Sequence, residues 1–231
     1  MANPFTIPYL ALQEASPTIE VISAGMDTLA RQSLKYAPWA QESANLPTVD
    51  FAIAHHSTAI LLKYYVHEQE IRAMYHKLND PVYEDSCVEC FISFDDDASY
   101  YNLEFNCAGT ARVEYGPSRH ERTFISPKLL EDIRFHVCVQ NETPTGISWS
   151  ITLYLPLTIF DFHRELVLEE SKARVNFYKC GDALPEPHFL CWSNIEATNP
   201  DFHLPAFFKD AIFKTQANHK PINTRMDHHP A

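Results

Sequence analysis

Glycine is scarce in this chain: 231 residues contain only 5, against 16 prolines. A glycine-rich phosphate loop is therefore excluded as its organising device. Basic residues are also in deficit, with 18 lysines and arginines against 30 aspartates and glutamates and a net charge of −12. Phosphate backbones and anionic membrane surfaces would be repelled, so nucleic acid and lipid headgroups are poor partners. No run of about 18 apolar residues occurs, and no membrane-spanning helix is expected. The opening stretch, MANPFTIPYLALQEASP, has no basic region, and prolines interrupt its apolar run. No secretory signal is expected there, which points to the cytoplasm. Cys87-x-x-Cys90 has no second Cys-x-x-Cys to complete a zinc site. Strand alternation would put its two thiols on opposite faces. The 6 cysteines are therefore expected as free, mostly buried thiols of a reducing compartment.

What the chain does have is apolar alternation. Hydrophobic residues make up 45% and aromatics 13%, enough for one sizeable core. Period-2 patterns over 47–55, 59–66, 87–94, 101–107, 149–155 and 173–179 read as strands. Val49, Phe51 and Ile53 point inward in one, and Trp149, Ile151, Leu153 and Leu155 in another. Shorter or looser strands are read at 18–22, 111–115, 129–140 and 188–193, and a short helix over 27–36. His55-His56 reads as a turn and Arg119–Arg122 as a charged connector. The expectation is an all-β fold: an antiparallel β-sandwich, immunoglobulin-like or jelly-roll-like, with about ten strands and minor helix. Residues 1–35 are expected as an N-terminal extension packed on a sandwich spanning 36–214, with 215–231 a flexible tail.

Residues 80–110 are the organising stretch: a turn, a strand, an acidic loop and a second strand. Alternation sets Val88, Cys90, Ile92 and Phe94 on one face and Glu89, Phe91 and Ser93 on the other. In the next strand Asn102, Glu104 and Asn106 oppose Tyr101, Leu103 and Phe105. Paired as a hairpin, the two strands would share a face of carboxylates and carboxamides edged by Tyr75, Tyr83 and Tyr100. Such a face is either a solvated outer surface or a floor for a sugar, whose hydroxyls need donor–acceptor pairs and whose C–H faces suit aromatic rings. The loop Asp95-Asp96-Asp97 is either a plain hairpin turn or a set of hard oxygen ligands for Ca²⁺, although its spacing is not that of an EF-hand.

The segments PVYEDSCVECFISF, YYNLEF, RVNFYKCGD and PHFLCWS resemble the family 9 carbohydrate-binding modules, β-sandwiches related to the DOMON-type fold. The family's core motif is an aromatic followed by Asp-Ser-Val-Glu opening a hydrophobic strand. It stands here as Tyr83 and Asp85-Ser86-Cys87-Val88-Glu89, with an inserted Cys. The resemblance implies a mono- or oligosaccharide ligand, often the end of a glucan, and in some relatives structural calcium. It makes Tyr83 a ligand-facing ring and Trp192 the opposing one. Glu89, Asn102, Glu104, Arg174 and Asn176 would then hydrogen-bond the sugar. As an alternative, Glu89 and Glu104 would be the carboxylate pair of a glycoside hydrolase. A DOMON-like haem site would need axial Met or His ligands at a spacing that is not seen.

Overall fold

The computed structural model describes residues 3–12, 17–41, 44–95, 97–143 and 145–216. Most of the expected tail, residues 217–231, lies outside them, as does Asp96. Among the described residues thirteen strands occur: β1 (Phe5–Ile7), β2 (Gln32–Ser33), β3 (Thr48–His56), β4 (Ala59–Glu68), β5 (Cys87–Phe94), β6 (Tyr100–Asn106) and β7 (Ala111–Ser118). Then follow β8 (Glu121–Phe124), β9 (Arg134–Thr143), β10 (Gly146–Pro156), β11 (Lys172–Cys180), β12 (Phe189–Cys191) and β13 (Lys209–Phe213). One sheet runs β1-β13-β11-β5-β6-β7-β8, with β12 also paired to β11, and the other runs β2-β3-β4-β10-β9. All pairings are antiparallel except β1 with β13. No helix among the described residues is long and apolar enough to cross a membrane.

Alternation decides which side chains meet between the sheets. Val88, Cys90, Ile92 and Phe94 of β5 face Phe51, Leu62, Trp149 and Ile151 in the main core. The opposite face of β5 does not meet water either. Cys87 and Phe91 lie in a second core with Tyr100, Tyr178, Val82, Ile195, Phe202 and Phe208. The last four come from the connecting segments, which fold back over the large sheet. The alternative of a solvated outer face therefore fails over this part of the sheet.

Four local expectations give way. His55 and His56 end strand β3 rather than forming a turn, which falls at Ser57 and Thr58. Residues 18–22, rich in β-branched side chains, begin helix α1 (Ile19–Met26). Thr18 caps it by accepting a hydrogen bond from the Val21 N–H at 3.4 Å. Ile22 and Met26, one turn apart, pack on Ala52, Ala54 and Leu61 of the small sheet. Residues 27–36 hold no helix, because α1 already ends at Asp27, whose carboxylate accepts from Lys63 Nζ at 2.7 Å and Tyr65 OH at 2.6 Å. The strand expected from 129 begins only at Arg134, since Pro127 opens the helical turn α2 (Pro127–Leu130).

Trp192 is a core residue. Its ring lies 4.7 Å from Phe5, 5.6 Å from Phe177 and 5.9 Å from Phe51, all between the sheets, and Lys209 Nζ sits 4.1 Å over it. The alternation along β12 sets Leu190 and Trp192 on the inner side, while Phe189 and Cys191 belong to the outer core. Truncating the indole removes a ring packed on three others. Chemical denaturation of Trp192→Ala should show a loss of about 3–5 kcal/mol, with Trp192→Phe losing less; a loss below about 1 kcal/mol would place the ring outside the core.

Candidate functional site

Strand pairing builds the floor. Glu89 of β5 stands directly opposite Glu104 of β6, and Glu104 opposite Arg112 of β7. These residues share the outer face of the large sheet, at the end where the covering segments leave an opening. The opening is a cavity of about 280 Å³. Glu89, Glu104, Arg112 and Arg122 line it from the sheet; Tyr83, Phe189, Phe202 and His203 line it from the covering segments. Arg119 and Asp182 stand at its exposed rim.

Each wall has a visible support. Tyr83 sits in a tight turn, Val82–Glu84, and its carbonyl accepts from the Asp182 N–H at 3.1 Å. Phe202 stacks on Tyr178 at 4.2 Å and 15°, and meets Phe189 edge-on at 6.1 Å. Glu114 organises the arginines: Arg112 Nη2 donates to it at 3.2 Å and Arg122 Nη1 lies 3.1 Å from its other oxygen. Arg112 Nη1 also donates to the Asn79 carbonyl at 3.1 Å. His203 Nδ1 lies 2.9 Å from Tyr100 OH and 3.5 Å from Arg122 Nη1. Burial, with Arg122, Arg119 and Arg112 nearby, pushes the His203 pKa down to about 2, so its ring is neutral.

The floor is electrostatically strained. Glu89 and Glu104 are each only 3% exposed. Burial, reinforced by Glu104, raises the Glu89 carboxyl well above the usual range; the Cys180 thiol, donating to Glu89 Oε1 at 2.9 Å, opposes this. Burial also raises Glu104, to about 7, although Arg112 and Arg122 pull it down. Asn102 Nδ2 donates to Glu104 Oε1 at 2.7 Å. Glu104 Oε2 and Arg112 Nε are buried and have no hydrogen-bond partner, and they stand 3.8 Å apart. Buried polar atoms are nearly always partnered, so this pair stands out on the cavity floor.

Of the residues expected in a site, Tyr83, Glu89 and Glu104 line the cavity, and Asn102 holds Glu104 from beneath. The other three lie elsewhere. Trp192 is between the sheets, and the β12 ring that reaches the cavity is Phe189, three residues earlier and so of opposite parity. Asn176 shares the sheet face, but its amide is consumed: Oδ1 accepts from the Ser193 N–H at 2.8 Å and the Phe177 N–H at 2.9 Å, and Nδ2 donates to the Ser193 carbonyl at 3.1 Å. Arg174 pairs across from Ser93, four residues along β5 from Glu89, or about 13 Å away, and donates to Ser93 Oγ and the Asp97 carbonyl. In the acidic loop, Asp97 is committed to protein donors: Tyr115 OH, and the Ser99 N–H at 2.9 Å. Asp95 is exposed, and the loop's middle residue, Asp96, is outside the described residues, so no calcium cage is assembled by what is described.

The residues that alternation missed are Arg112, Arg122, Phe189, Phe202 and His203. Arg112 had a signal: extending the hairpin by one strand places it beside Glu104. Arg122 sat in what read as a connector, yet it opens into β8. Phe202 and His203 reach the site only because their segment folds over the sheet, which no local pattern encodes.

The sequence matches the family model for Carbohydrate-binding family 9 over residues 21–213. The chain belongs to carbohydrate-binding family 9. Carbohydrate binding is accordingly its function. A crystal structure from Bacteroides uniformis, of a protein provisionally described as carbohydrate-binding, is 33% identical and superposes with a TM-score of 0.82 over 92% of this chain and 100% of that one. A family 9 module from Caldicellulosiruptor kristjanssonii in complex with cellotriose is 11% identical, with a TM-score of 0.56 over 98% of this chain and 99% of that one. The glucose complex of a family 9 module from the same organism gives 10% identity and 0.57, over 93% and 97%. At these identities the last two share the fold with this family 9 chain. No curated protein matches it.

Because folding raises the Glu104 pKa, the native state favours its protonated form. The stability this contributes is complete below about pH 4.5 and is lost as pH rises through about 7. Glu104→Gln, which cannot ionise, should therefore gain on wild type in thermal melts as pH climbs from about 5 to about 8. Parallel melting curves across that window would show that Glu104 titrates as an ordinary surface carboxylate.

Proposed function

We propose that the cavity binds one terminal ring of a neutral mono- or oligosaccharide. The observation that carries this reading is the unpartnered pair on the floor, Glu104 Oε2 and Arg112 Nε, 3.8 Å apart. A carboxylate oxygen accepts and a guanidinium N–H donates; a sugar hydroxyl does both at once and fits between them. Tyr83 and Phe189 supply half-buried rings for the ring's apolar C–H faces, with Phe202 packed behind. Arg122 offers a further donor on the same floor. Glucose and cellotriose, the ligands held by the two structural neighbours, are the sugars to try first.

A neutral ligand agrees with the charge arrangement. Glu114 pairs with both floor arginines, at 3.1 and 3.2 Å, and Glu104 Oε2 stands 3.8 Å from Arg112 Nε, so each guanidinium already faces a carboxyl group. The size agrees as well: about 280 Å³ lies at the lower end of ligand pockets, which run from about 300 to 1,000 Å³. That suits a chain end better than the flat side of a polymer. The glycosidase alternative fits less well. Glycosidase carboxyls flank the scissile bond from two sides, whereas Glu89 and Glu104 are adjacent cross-strand neighbours on one floor.

Isothermal titration with glucose and cellotriose tests the reading. Glu104→Gln should weaken binding by about 1.5–3 kcal/mol, the range for a charged hydrogen bond, and Tyr83→Ala by about 1 kcal/mol or more. Arg174→Met and Trp192→Phe, which lie outside the cavity, should bind as wild type does. A glycan array without any neutral-sugar signal would sink the proposal, and so would equal losses from Arg174→Met.

A further inference from the structure

The floor carries a second cluster that the sugar reading does not use. Cys180 of β11 stands directly opposite Cys87 of β5, so their side chains emerge side by side on the outer face. Glu89, two residues along β5, brings Oε1 to 2.9 Å from Cys180 Sγ. The two sulfurs and a Glu89 carboxylate oxygen all lie within 4.8 Å of one another. Donors around one tetrahedral zinc-type ion, with metal–sulfur about 2.3 Å and metal–oxygen about 2.0–2.2 Å, stand about 3.5–3.8 Å apart, so small side-chain adjustments close the set.

Access and charge also fit. Cys180 and Glu89 line the cavity, which gives an ion an entry path and leaves a coordination position on the cavity side. Cys87 closes the site from below at 0% exposure. Lys179 adjoins Cys180 in the chain and Arg122 lines the same cavity, so cationic groups stand near the negative charge that two thiolates and a carboxylate would bring. Ordinary buried cysteines in a core are surrounded by apolar groups; here the pair is joined by a carboxylate that opens on a solvent-reached cavity.

We propose that Cys87, Cys180 and Glu89 form a binding site for a thiophilic divalent cation of the zinc type beneath the sugar cavity. Binding displaces the two thiol protons and the Glu89 carboxyl proton; no oxidation is involved. The site stands independently of which sugar the cavity takes.

Cadmium is the probe, because thiolate–cadmium coordination gives an ultraviolet charge-transfer band. Titrating the full reduced, chelator-treated chain with Cd²⁺ should raise that band to saturation at one equivalent. Cys87→Ser and Cys180→Ser should each abolish the saturating step, whereas Cys138→Ser, on the other sheet, should leave it unchanged. Glu89→Gln keeps both thiols and the side-chain shape; it should weaken Cd²⁺ binding by at least about tenfold, since even groups behind the ligands are worth that much. Absence of the band in wild type overturns the proposal. A band that persists in a folded Cys87→Ser/Cys180→Ser variant does so too, as does a Cys87–Cys180 disulfide found by mass in the untreated protein. Unchanged affinity in Glu89→Gln removes the carboxylate from the site and overturns the three-ligand set. Sugar titrations in chelator fail or succeed separately, so loss of one reading leaves the other standing.

Discussion

Asp85 is the group on which the site's architecture depends. Its carboxylate is fully buried and accepts from the Met74 and Tyr75 N–H groups at 3.0 Å and from Asn106 Nδ2 at 2.9 Å, and it pairs with Arg72. Burial alone would raise its pKa, but these donors outweigh it and hold the carboxyl below the usual range. Ser86 adds two bonds to the same segment: its N–H donates to the Arg72 carbonyl and its Oγ accepts from the Arg72 N–H. Together they tie residues 72–75, the end of β6 and the start of β5 into one rigid corner. Tyr83 hangs from that corner, and Glu89 follows it on β5. In Asp-Ser-Cys-Val-Glu, the Asp and Ser lock the corner, Val enters the core, and Glu is delivered to the floor.

That division explains how much was legible in the sequence. Alternation on β5 and β6 sorted Glu89, Asn102 and Glu104 onto one face because a strand's period is fixed by its backbone. The same rule sorted Trp149 into the core, where it is 1% exposed. It could not say whether the outer face meets water, because the covering residues Ile195, Phe202 and Phe208 arrive from far along the chain. Nor does parity survive the guess of a role. The family resemblance points Trp192 at the cavity, but its parity with Leu190 sends it between the sheets. Asn176 shows the remaining limit: it lies on the correct face, yet its amide is engaged by Ser193 and by the Phe177 N–H.

Placing two glutamates directly opposite each other across β5 and β6 is unfavourable for folding, since like charges in that position repel. Burial raises both carboxyls, and at Glu89 the neighbouring Glu104 adds to the rise. Protonation relieves part of the repulsion, and Arg112 and Arg122 relieve more at Glu104. A hydrophobic pair would pack at least as well under the covering segments, so stability alone does not account for the glutamates. Such local conflicts are expected where a surface is shaped for a ligand rather than for its own neighbours.

A second buried polar cluster holds its charges closer together. Glu68 joins the sheets: its Oε1 accepts from Trp149 Nε1 at 2.7 Å, and its Oε2 lies 2.8 Å from Lys179 Nζ. Lys179 in turn donates to the Cys180 carbonyl at 2.9 Å and to His188 Nε2 at 2.8 Å. Burial and the Lys179 charge press the His188 pKa down to about 3, which keeps its ring a neutral acceptor. Here every charge is met by an opposite one from the same chain, and the cluster acts as a staple between layers. Around Glu104 the same residue types are left one partner short, beside a cavity, between Arg112 and a wall of aromatic rings.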